Sequence, residues 1–174
     1  MNIIIKKVVI TGPESTGKSQ LCEQLSYYYK TIYVDEFARN FLINSNNIYN
    51  KEDLIFFANK QIENESKLID EANNYLFIDT DIINIKIWMQ EVFNENSKEL
   101  NVLIKNNPYD LYLLADIDIP WEPDLLRANE HNRAELYNRF EEELNFYNLP
   151  YRKLSGIGND RLKNAIKIID SFFK

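Results

Sequence analysis

The 174-residue chain contains one cysteine, one histidine and four glycines, and each scarcity excludes something. A lone thiol, Cys22, forms no internal disulfide, which suits a reducing cytosol. Cys22 falls on the apolar face of the first helical stretch and reads as a core residue, not a nucleophile. The lone histidine, His131, lies in a polar stretch; it reads as solvent-exposed and builds no histidine-rich metal centre. No run reaches the ~18 consecutive apolar residues of a membrane-spanning helix. Lys6-Lys7 interrupts the apolar run Ile3–Ile10, so no secretory signal is visible. A basic surplus is also missing. The net charge is −7, so affinity for nucleic acid through a basic surface is not expected. The expectation is a cytoplasmic protein without a membrane or nucleic-acid partner.

Apolar residues are not scarce. They make up 45% of the chain, enough for a sizeable core, and the length predicts one domain over residues 1–174. Strands are predicted at Ile3–Thr11, Thr31–Val34, Tyr75–Ile78, Leu111–Ala115 and Pro150–Leu154. Helical spacing predicts helices over Lys18–Tyr29, Lys51–Asn73, Ile83–Ile104 with a break near Asn94–Ser97, Glu130–Tyr147 and Asp160–Phe173. An Asn-rich loop covers Asn44–Asn50. This alternation predicts an α/β fold, a parallel sheet with helices on both faces.

Two of the four glycines are spent on one motif. Gly12-Pro13-Glu14-Ser15-Thr16-Gly17-Lys18-Ser19 reads G-x-x-x-x-G-K-S, a phosphate-binding loop, between a buried strand and a helix start. The glycines allow backbone angles that a Cβ resists, so that N–H groups can wrap an anion at the positive end of the helix. Lys18 reaches the β- and γ-phosphates, and the Ser19 hydroxyl binds Mg²⁺. The expected nucleotide-binding set is Gly12, Glu14, Ser15, Thr16, Gly17, Lys18, Ser19 and Gln20. The implied cofactors are ATP and Mg²⁺.

Further candidates stand where strands end, the edge on which open α/β sheets bind ligands. Asp79 closes an apolar strand, as the acid that holds Mg²⁺ does in phosphate-loop enzymes. Asp81 could share that task, touch substrate, or cap the next helix. Asp35 and Glu36 follow the second strand. An extended segment turns successive side chains to opposite faces, so one of the two faces the cleft. A carboxylate there can orient an acceptor hydroxyl and take its proton. Arg39 could pair with either acid or bind substrate or phosphate. Trp121 lies in a loop bounded by Pro120 and Pro123 and could stack on a flat substrate ring or simply pack the loop. Arg127 and Arg133 belong to a segment, about 118–133, expected to close as a lid and bring cations to developing charge. Arg161, after the last strand, is a candidate for contact with adenine.

On these residues the chain resembles the ribosylnicotinamide kinase domain of NadR-type proteins. The matching pieces are the phosphate loop, Glu36-Phe37-Ala38-Arg39, Phe77-Ile78-Asp79-Thr80-Asp81, Tyr109-Asp110, Trp121-Glu122-Pro123-Asp124-Leu125-Leu126-Arg127 and Leu149-Pro150-Tyr151. They occur in the family's order along nearly the whole chain. The resemblance implies a three-layer P-loop kinase fold with five parallel strands and a short lid. It implies transfer of phosphate from ATP to the 5′-hydroxyl of nicotinamide riboside. Lys18, Glu36, Asp79 and Arg127 are then the expected catalytic residues, Ser19 and Asp79 the metal ligands. Asp35, Glu36, Arg39, Asp81 and Trp121 form the expected acceptor site, with Trp121 on the nicotinamide ring. Leu125 departs from the family, which often has glycine there. Larger members carry adenylyltransferase and DNA-binding domains ahead of the kinase; neither activity is expected in this chain. The alternatives are a kinase of another nucleoside or nucleotide, and a P-loop ATPase or nucleotide-binding regulator acting on a protein partner.

Overall fold

The computed structural model describes residues 4–174. Five parallel strands form one sheet in the order β2-β3-β1-β4-β5. They are β1 (Lys6–Thr11), β2 (Ile32–Val34), β3 (Tyr75–Asp79), β4 (Leu111–Ala115) and β5 (Tyr151–Leu154). Seven α-helices accompany them among the described residues: α1 (Lys18–Tyr29), α2 (Phe37–Asn44), α3 (Lys51–Leu68), α4 (Ile82–Phe93), α5 (Lys98–Asn106), α6 (Arg133–Phe146) and α7 (Asn159–Phe172).

The three central strands carry continuous apolar runs, Val8–Ile10, Leu76–Ile78 and Leu111–Ala115, because both of their faces are covered. Side chains alternate between the faces. Val9, Leu76, Ile78, Tyr112 and Leu114 meet α2 to α6 on one side. Val8, Ile10, Phe77, Leu111 and Leu113 meet α1 and α7 on the other. Cys22 is buried in the second of these cores. The result is the expected three-layer α/β fold.

Several boundaries differ from the sequence reading, among them the end of α3, which stops at Leu68 where a helix to Asn73 is expected. Ile3, the expected start of the first strand, lies outside the described residues, and β1 begins at Lys6. Helix α2 occupies residues for which no helix was anticipated. The last long helical stretch before β5 starts at Arg133, three residues later than expected, and His131 stays exposed in the segment before it. The expected break in the fourth helical stretch is real. Asn94, at φ 50°, ends α4, and the Ser97 hydroxyl caps α5 by accepting from the Leu100 amide at 3.3 Å.

Strand order sets the position of the site. The chain leaves β1 for β2 and β3 on one side and returns to β4 on the other. The crevice at such a switch point lies beyond the carboxyl ends of the strands. Ile10 pairs with Asp79, and the Thr80 amide donates to the Ile10 carbonyl at 3.1 Å. The loop after β1 is therefore a neighbour of the acid that ends β3.

Candidate active site

The loop at residues 12–17 takes its shape from three left-handed positions: Gly12 at φ 129°, Ser15 at φ 55° and Gly17 at φ 72°. A Cβ on Gly12 would come within 2.9 Å of the Ala115 carbonyl oxygen, so the close pass over the end of β4 requires glycine. Gly17 stands at the head of α1 and offers no side chain to cap it. The first amides of α1 thus keep donors for an outside anion. Lys18 donates from Nζ to the Pro13 carbonyl at 2.8 Å, and the Thr16 hydroxyl donates to the same oxygen at 2.8 Å. Burial lowers the Lys18 pKa, while the charges of Asp79, Glu36 and Glu14 pull it back up.

Asp79 is 2% exposed, and its Oδ1 has no hydrogen-bond partner. Burial raises its pKa; the Ser19 hydroxyl beside it and Lys18 oppose the rise. An orphaned carboxylate oxygen next to a hydroxyl is an all-oxygen donor pair, which suits a hard cation such as Mg²⁺. Among the described residues no cluster of three or more acidic, histidine or cysteine side chains stands ready to hold a metal alone. A cation here would therefore be completed by phosphate oxygens and water, the usual habit of Mg²⁺.

Glu36 faces the same space. Its carboxyl is pushed up to about 7, first by burial and then by the charge of Asp79, with Lys18 and Arg39 pulling down. Its neighbour Asp35 turns outward and is exposed, as the alternation of an extended segment requires. Arg39 reaches neither acid with a hydrogen bond. Its Nη2 donates to Asp124 Oδ2 at 2.5 Å, tying α2 to the segment between β4 and α6.

That segment lies over the phosphate loop through several bonds. The amides of Ala128 and Asn129 donate to Glu14 Oε2, each at 3.1 Å. The Glu122 amide donates to the Ser15 hydroxyl at 2.9 Å. Arg127 Nη1 donates to the Glu122 carbonyl at 2.6 Å and to Ser15 Oγ at 3.4 Å. Arg133, buried at the head of α6, donates to the Ser15 carbonyl at 3.0 Å and to the Ile119 carbonyl at 2.9 Å.

Between these parts lies a cleft of about 650 Å³, lined by Lys18, Glu36, Arg39 and Arg127 among others. Tyr49 and Trp88 also wall it. Their rings meet edge to face, with centroids 4.9 Å apart, and the Trp88 indole N–H donates to the Tyr49 hydroxyl at 3.0 Å. Helix α4, which carries Trp88, is pinned to α6 by the buried pair Lys86–Glu143 at 2.5 Å.

A family model described as an AAA domain matches residues 7–161. The chain belongs to this AAA-domain family. Among curated relatives, the trifunctional NAD biosynthesis/regulator protein NadR of Escherichia coli (strain K12) is 26% identical over 155 residues, which is 84% of this chain and 37% of that protein. NadR of Salmonella typhimurium is 26% identical over 130 residues, or 71% and 31% of the two chains. The chain thus spans about a third of the length of these relatives. Among solved structures, NadR in complex with NR superposes with a TM-score of 0.82 at 20% identity, covering 97% of this chain and 51% of that one. A deoxyadenosine kinase from M. mycoides with bound dATP gives 0.63 at 16% identity, covering 95% and 99%. The resemblance to NadR-type proteins and the expected P-loop kinase-like fold are borne out.

Within this AAA domain several residues sit elsewhere than their sequence positions suggested. Trp121 does not line the cleft; its ring packs beside Arg133, 5.9 Å from the guanidinium carbon. Arg161 is buried and bound to Asp118, to the Gly156 carbonyl at 2.7 Å and to the Asp116 carbonyl at 3.1 Å. It staples the loop after β5 to the segment after β4 and is absent from the cleft lining. Asp81 caps α4, accepting from the Ile83 amide at 3.1 Å and from the Thr11 hydroxyl at 3.3 Å. That is the capping role, and the side chain is not part of the cleft wall. Glu14 borders the cleft and holds the Ala128 and Asn129 amides. Gln20 and Ser19 do border the cleft. Tyr109-Asp110 is structural: the Tyr109 hydroxyl donates to buried Glu65 at 2.7 Å, and Asp110 accepts from the Lys7 amide at 2.9 Å. The aromatic wall, Tyr49 and Trp88, was missed. Trp88 sits in an apolar helical run and resembles core from its spacing alone.

Proposed function

We propose that this chain is an ATP-dependent kinase that phosphorylates the 5′-hydroxyl of nicotinamide riboside to give nicotinamide mononucleotide, as a single domain whose 118–133 segment serves as the lid. One observation carries the proposal. A single cleft joins a phosphate loop, a carboxylate of raised pKa and an aromatic wall: Lys18, Glu36 and the Tyr49–Trp88 pair. The likeness to NadR proteins supports the choice of acceptor.

The chemistry follows from the positions. The loop amides and Lys18 bind the β- and γ-phosphates and draw off their charge. Ser19 and Asp79 would hold Mg²⁺, which when bound neutralises charge on the phosphates. Glu36 accepts the proton of the 5′-hydroxyl as the new O–P bond forms. The bond from the γ-phosphorus to the β–γ bridging oxygen breaks, and ADP leaves. A base titrating at about 7 matches the working pH of such a step. Arg127 supplies a cation to the transferring group when it leaves the Glu122 carbonyl. The pyridinium ring of nicotinamide riboside is flat and cationic, and the π faces of Trp88 and Tyr49 attract such a ring.

The experiment is an acceptor panel. Purified protein with ATP and Mg²⁺ is given nicotinamide riboside, adenosine, deoxyadenosine, thymidine and thymidylate, and ADP release is followed. Turnover selective for nicotinamide riboside is expected. Turnover selective for another acceptor reassigns the substrate, and hydrolysis indifferent to every acceptor points to an ATPase.

A further inference from the structure

Glu14 has no direct task in the chemistry proposed above, yet it is one of the most engaged side chains of the phosphate loop. Its Oε2 accepts from two consecutive amides, Ala128 and Asn129, at 3.1 Å each. Both follow Arg127 directly. The carboxylate is thereby tied to the 118–133 segment.

We infer that Glu14 is a positioning residue: it latches the lid by its Ala128 and Asn129 amides and so sets Arg127 over the phosphate loop. The inference rests on the kinase reading for its consequence in catalysis, but not for the latch. Three features support it. The two bonds to Glu14 grip the chain just after Arg127, while the Ser15 hydroxyl takes the Glu122 amide five residues before it, at 2.9 Å. The arginine is therefore bracketed on both sides by adjacent loop residues. The guanidinium itself rests on Ser15 Oγ and the Glu122 carbonyl, within the loop's reach. Finally, the left-handed Ser15, at φ 55°, is locked from behind by Arg133, so the latch is mounted on a fixed base.

Trypsin reads the latch directly, because the Arg127–Ala128 bond it cuts contains the amide that Glu14 holds. A protease needs its target segment detached and extended, and the rate then follows the open population. In nucleotide-free full-length protein, Glu14→Ala is expected to speed cleavage at Arg127 by about tenfold or more, the effect of losing two charge-assisted hydrogen bonds. Glu14→Gln keeps a side-chain oxygen for both amides but loses the charge, and is expected to cut at a rate between the native and Glu14→Ala rates. A second measurement needs no acceptor: the affinity for AMP-PNP in Glu14→Ala, Arg127→Ala and the double variant. If Glu14 acts through Arg127, its substitution weakens binding in the native background and has little further effect without Arg127. Native cleavage rates in Glu14→Ala, or additive losses in the cycle, overturn the inference. Failure to turn over nicotinamide riboside leaves both measurements intact and counts against the proposed function alone.

Discussion

The Trp88 indole donates to the Tyr49 hydroxyl at 3.0 Å, joining α4 to the Asn-rich loop in the wall of the cleft. This bond fixes two aromatic rings in the wall of a space that the phosphate loop also lines. If the acceptor ring lies on this wall, Trp88→Ala raises the acceptor KM by about tenfold, the scale of one desolvated cation–π or stacking contact, with kcat little changed. Trp121→Ala leaves the acceptor KM unchanged, since that ring packs on Arg133 outside the cleft. Steady-state kinetics of the two variants against nicotinamide riboside decide between the walls.

Glu36 predicts both a rate loss and a pH profile. Glu36→Gln lowers kcat by about 10²- to 10⁴-fold, the usual contribution of a positioned general base. The base must be ionised to work. Its carboxyl titrates at about 7, so kcat/KM rises with pH and levels off above that value. The acid limb is absent from the residual activity of Glu36→Gln.

Asp81 bears on stability instead of turnover. Burial pushes its carboxyl up to about 7 in the fold, against an ordinary unfolded value of about 4. Between those values the unfolded chain has lost a proton that the folded chain keeps, so stability falls as pH rises through the window. Asp81→Asn keeps an oxygen to cap the Ile83 amide and removes the charge. Urea denaturation between pH 4 and 8 should therefore show a smaller fall for Asp81→Asn than for the native chain. The part that remains belongs to Glu36, Asp79 and Glu65, which burial raises in the same sense. Asp81→Ala, which loses the cap, costs about 1–3 kcal/mol.

Gly12 gives the sharpest backbone test. Gly12→Ala places a Cβ 2.9 Å from the Ala115 carbonyl oxygen at a φ of 129°. Strain of about 1–3 kcal/mol is expected, together with loss of nucleotide binding as the loop shifts. Denaturation and AMP-PNP titration of the same sample separate the two effects.

Sequence reading reached the strands and the loop because their signals are local. Val8-Val9-Ile10 and Leu111–Ala115 are continuous apolar runs, which a strand covered on both faces demands. The glycines of the loop carry their own geometric reason. Helix α2 escaped because it lacks a start signal: Glu36 makes no capping bond and its first turn holds no acid. Trp88 escaped for a different reason. Ile82, Ile83, Ile85, Ile87 and Met89 are all buried, so α4 is apolar around most of its girth, and spacing cannot say which side meets a cleft. The Arg39–Asp124 and Arg161–Asp118 pairs join residues far apart in the chain, and only the fold brings them together.

Transfer of the γ-phosphate to nicotinamide riboside is the central claim, and phosphorus NMR of the reaction with ATP and Mg²⁺ tests it most directly. The prediction is a phosphomonoester signal of nicotinamide mononucleotide growing in step with ADP, and lost in Lys18→Ala. ADP that accumulates with inorganic phosphate alone, at a rate indifferent to nicotinamide riboside, contradicts it.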